Sequence, residues 1–158
     1  ALDSLAKDPN ESSNVRNNAL INLGSTLQQM QNQGQAPAGL ADQLISTLNQ
    51  AIGGENSASA ILAAGNAKLD NLDQQIMSKL SSSNSKERYA AATVLARNPD
   101  YNDDLIQHLS SEPSDLVNYA ILSNLDATNL SRQQKDRLLD SSSDTSPDIT
   151  KVIHQLIQ

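Results

Sequence analysis

The feature that most constrains this chain is a spacing. Leu80, Leu109 and Leu138 stand 29 residues apart, and each is followed by a Ser-rich turn, at 81–85, 110–114 and 141–144. A second set of leucines, Leu95, Leu125 and Leu156, follows at intervals of 30 and 31. Two helical patterns per unit, repeated about every 30 residues, describe an α-solenoid, in which each helix pair buries its apolar face against the next pair.

Composition agrees with thin helix-on-helix packing. The hydrophobic share is 37%, with no Phe, no Trp and three Tyr, which disfavours folds built on aromatic and β-branched strands. The expected fold is therefore all-α, an α-α superhelix of about five helix pairs in one domain, 1–158, with units at 1–31, 40–66, 70–98, 101–127 and 130–158. The missing initiator Met makes a processed chain, or a piece of a longer protein, the expectation.

Taken in order, Leu2 and Leu5 begin a short helix that Asp8-Pro9-Asn10 breaks. Asn14 is placed to cap a helix with Val15, Ala19, Leu20, Leu23 and Leu27 on one face, and a Gln-rich loop is expected from Gln31 to Gly39. Leu40, Leu44, Ile45, Leu48 and Ile52 form the next stripe, which Gly53-Gly54 should end with a left-handed cap. Later first helices carry Leu72, Ile76, Met77 and Leu80, then Leu105, Ile106 and Leu109, then Leu130, Leu138 and Leu139. Pro147 suits the first turn of the last helix. Across the second helices, one column reads Ala19, Ala60, Ala91, Ile121, Val152, and another, four residues on, reads Leu23, Ala64, Leu95, Leu125, Leu156.

Charge and residue types exclude more than they specify. A net charge of −7 removes the electrostatic basis for binding nucleic acid. No apolar run is long enough to span a membrane, and the absence of Cys excludes disulfides, zinc–thiolate sites and thiol catalysis. The polar residues are mostly Ser, Asn and Gln, a composition that leans towards an exported or cell-surface setting. No phosphate loop, nucleophile elbow or His-Glu-x-x-His pair is present, so neither an enzyme nor a cofactor is expected. A metal site from Asp100, Asp104 and His108 would rest on spacings that chance supplies easily. Lys79, His108 and Arg137 recur every 29 residues and could line up as a ridge for anions, although bases late in a helix also suit its dipole.

The aromatic residues offer a sharper candidate. Tyr89 and Tyr119 hold equivalent positions in successive second helices, in a column of Asn17, Ala58, Tyr89, Tyr119 and Thr150 that is too mixed to be core. With Arg88, Thr93, Asn118 and Ser123 as a border, they form a candidate surface for a protein or peptide, since Tyr presents a large apolar body with a polar tip. The alternative is that both rings cover the seam between units. The apolar last helix and the short first one also suggest weak self-association.

The segment 15–24, Val-Arg-Asn-Asn-Ala-Leu-Ile-Asn-Leu-Gly, and 87–95, Glu-Arg-Tyr-Ala-Ala-Ala-Thr-Val-Leu, resemble the second helix of HEAT-type repeats. The segment 60–67, Ala-Ile-Leu-Ala-Ala-Gly-Asn-Ala, is similar to helix ends of the vitellogenin-like helical domain. The fourth and fifth units depart from this pattern, carrying Val117-Asn118 and Asp148-Ile149. The HEAT resemblance implies a scaffold for other proteins with the second helices on the concave face. The vitellogenin-like resemblance implies part of a lipid- or lipoprotein-handling assembly.

Overall fold

The computed structural model describes residues 2–34 and 39–158, and every regular element among them is helical. The chain divides into two compact units, Ala1–Lys79 and Leu80–Gln158.

The first unit holds α1 (Leu2–Lys7), α2 (Ser13–Gln33), α3 (Leu40–Ile52), α4 (Ser57–Asn66) and α5 (Asp73–Ser78). Helix α1 packs on α2 and α3, and α4 packs on α2 and α3. Odd and even helices thus form separate layers, α1 with α3 and α2 with α4. Gln75 of α5 donates to the Asn49 carbonyl of α3 at 3.2 Å.

The crossing of α2 and α4 is close because Gly24 has no side chain. A Cβ built there would lie 2.7 Å from Ala63 Cα and 2.8 Å from its carbonyl carbon. Small residues, Ala60, Ala63 and Ala64, line the α4 side and are fully buried.

Local chemistry accounts for the helix ends and corrects several expectations. Ser12, not Asn14, caps α2, its Oγ accepting from the Val15 N–H at 3.3 Å. Helix α2 continues past Gln31 to Gln33 and closes on Gly34 at φ 63°, a left-handed conformation that glycine adopts without strain. The expected Gln-rich loop is therefore shorter, and its residues 35–38 lie outside the described residues. Gly53 has φ −81°, so α3 ends without the left-handed cap expected there.

The second unit holds α6 (Ser85–Leu95), α7 (Asn102–Leu109), α8 (Asp115–Asn124), α9 (Arg132–Ser141) and α10 (Pro147–Ile157). Helix α8 packs between α6 and α10, α7 packs on α9, and each hairpin, α7 with α8 and α9 with α10, is closed. The layering of the first unit thus recurs. Asn84 caps α6 through the Lys86 N–H at 3.0 Å. Ser131 and Gln134 form a reciprocal capping box on α9. Ser146 caps α10, with Pro147 in its first turn.

Both apolar columns are buried through four pairs: Ala19, Ala60, Ala91 and Ile121, then Leu23, Ala64, Leu95 and Leu125. In α10 their counterparts Val152 and Leu156 are half-buried. Two residues expected in the core are at the surface. Val15, in the first turn of α2, lies on its solvent side, and Leu139 is 43% exposed because Leu138 and Ser141 carry the buried side of α9.

Candidate functional site

The most strongly organised polar group lies where α6, α7 and α8 meet. Glu112 sits in the turn between α7 and α8, and its carboxylate is 0% exposed. Arg88 of α6 grips it with two bonds of 2.9 Å, Nε to Oε2 and Nη2 to Oε1. His108, from the last turn of α7, places Nε2 2.8 Å from Oε2, and the Ser114 N–H donates to Oε1 at 2.9 Å. Each carboxylate oxygen therefore has two partners, drawn from α6, α7 and the cap residue that opens α8, and its bonding capacity is used. The remaining guanidinium nitrogen of Arg88, Nη1, donates to the Ser82 carbonyl at 2.9 Å and that of Ser83 at 3.3 Å. A carboxylate committed in this way fastens helices together; it has no lone pair left for a ligand.

Burial pushes the Glu112 carboxyl up, but the hydrogen bonds from Arg88, His108 and Ser114 outweigh it and hold the group below its ordinary value. The same pairing raises Arg88, chiefly through its hydrogen bonds to Glu112.

Arg16 repeats the device in the first unit. It occupies the position in α2 that Arg88 occupies in α6. Its Nη1 donates to the Glu11 carbonyl at 2.9 Å and the Asp8 carbonyl at 3.5 Å. Its Nε reaches Asn56 Oδ1 at 3.1 Å and its Nη2 reaches Glu55 at 3.3 Å, both in the turn between α3 and α4. In each unit an arginine early in one second helix thus binds the turn before it and the turn of the next pair. The two clamps differ in strength, since Glu55 is 88% exposed and screened by water.

The candidate surface residues separate into two groups. Tyr89 and Thr93 lie on α6, Tyr119 and Ser123 on α8, and these helices pack together. Tyr119 is 54% exposed, Tyr89 is half-buried and Ser123 is exposed. Thr93 turns its hydroxyl onto the Tyr89 carbonyl at 2.8 Å. Arg88 and Asn118 belong to the interior instead. Arg88 is spent on Glu112, and Asn118 is 2% exposed, its Nδ2 donating to the Glu112 carbonyl at 3.3 Å while its Oδ1 has no partner. Leu116, one turn before Tyr119 on α8, is 63% exposed and enlarges the apolar part of the surface.

The expected ridge of bases is not a free row. His108 turns inward to Glu112, and Arg137 pairs with Asp103 at 3.1 Å. Among the described residues, no three His, Cys, Asp or Glu side chains converge on a point that could hold a metal ion. A cleft of about 540 Å³ between α7 and α9 is lined by Ile106, Gln107, Ser110, Arg137, Asp140, Ser141 and Asp144. No described helix is long and apolar enough to cross a membrane.

Two residues central to this description carried no sequence signal of their own. Glu112 lies 24 positions from Arg88 inside a Ser-rich turn, and Leu116 stands where α6 has Lys86. Comparison of the chain with known protein families, with curated proteins and with solved structures finds no match to any of them.

Proposed function

We propose that the chain is a HEAT-like α-solenoid serving as a non-enzymatic interaction scaffold, and that it binds a protein or peptide along the face of its second helices. The layering of alternate helices within each unit supports the solenoid reading. One observation carries the binding reading: Leu116 and Tyr119, three residues apart on α8, are the two most exposed large apolar side chains among the described residues. Single exposed apolar residues are ordinary, but two on one helical turn, beside Tyr89 and hydroxyl-bearing neighbours, make the kind of centre and rim that protein interfaces use.

The test places a photo-reactive amino acid at Ser123 and, as a control, at Gln133 of α9, both exposed. A discrete polypeptide cross-linked from Ser123 alone, and lost in Leu116→Ser/Tyr119→Ala, is the expected result. Equal products from both positions, or products indifferent to the double substitution, would overturn the reading. Lipid recovered by organic extraction of the purified protein, with no polypeptide product, would favour the lipid-handling alternative.

A further inference from the structure

We draw no further inference here: the strongest candidate, the cleft of about 710 Å³ beside α1 and α3 that Lys7, Arg16 and Glu55 help to line, has its charged groups already committed to one another and to Asp3, Asn56 and the Asp8 and Glu11 carbonyls, and nothing in the structure shows what else would occupy it.

Discussion

Substituting Glu112 by Ala removes the carboxylate that joins α6, α7 and α8 and leaves the Arg88 guanidinium, 12% exposed, without its countercharge. Breaking one partner of a buried pair costs about 3–5 kcal/mol, mostly because a charge is left uncompensated. Here the lower part of that range applies, since Nη1 keeps its bonds to the Ser82 and Ser83 carbonyls. A loss of about 3 kcal/mol is then expected, a large share of the roughly 5–15 kcal/mol that stabilises a typical domain. The assay can be confined to the right unit. All three tyrosines, Tyr89, Tyr101 and Tyr119, lie within Leu80–Gln158, and the chain has no Trp. Tyr fluorescence during urea unfolding therefore reports the second unit, while far-UV circular dichroism reports both. Arg88→Met combined with Glu112→Leu should recover much of the loss, because removing both charges removes the penalty. A cost below about 1 kcal/mol for Glu112→Ala, the range typical of exposed pairs, would refute the view that the cluster fastens α6 to α8.

Gly24→Ala should destabilise the protein by about 1–3 kcal/mol, because the new methyl meets Ala63 backbone and α2 must move away from α4; Gly53→Ala, whose nearest neighbour is at 3.5 Å, is the control, and equal melting temperatures for the two variants would contradict the close crossing. Because Glu112 is held below its ordinary value, its contribution is present above the unfolded-state value and lost as pH falls through the folded one, so the stability gap between wild type and Glu112→Ala should narrow on acidification; a gap that widens in urea titrations at lower pH would reverse the sign. Ala91→Phe should cost about 1–3 kcal/mol in the Tyr-monitored transition, since Ala91 is fully buried on the helix that packs against α8 and a ring there overfills the space, and a neutral result would displace it from the core.

The parts of this fold legible in the sequence are those written as periodic repetition. Ala19, Ala60 and Ala91 are each buried as their column requires. Register within a turn is harder to read. Tyr119 is exposed and Asn118, one residue earlier, is buried, a step of about 100° that column membership alone did not resolve. Asn14 and Ser12 are both good caps, and the choice depends on which oxygen reaches the first free N–H. The Glu112 cluster was illegible for a different reason. An ion pair between separate helices leaves no local pattern, and Glu112 follows two serines in a turn that reads simply as polar.

The position held by Arg16 and Arg88 passes to Asn118 in α8 and to Ile149 in α10. Asn118 is too short to repeat the clamp; it turns back to the carbonyl of its own turn and leaves an oxygen unpartnered. The seam between α6 and α8 is therefore riveted, whereas α9 and α10 are tied on by the packing of α8 on α10 and by the exposed Arg137–Asp103 pair between α7 and α9. Exposed pairs contribute little, so the α9–α10 pair is expected to open at lower cost than the α6–α8 seam. Hydrogen exchange of the α9 and α10 amides is then expected to be faster than that of α6 and α8.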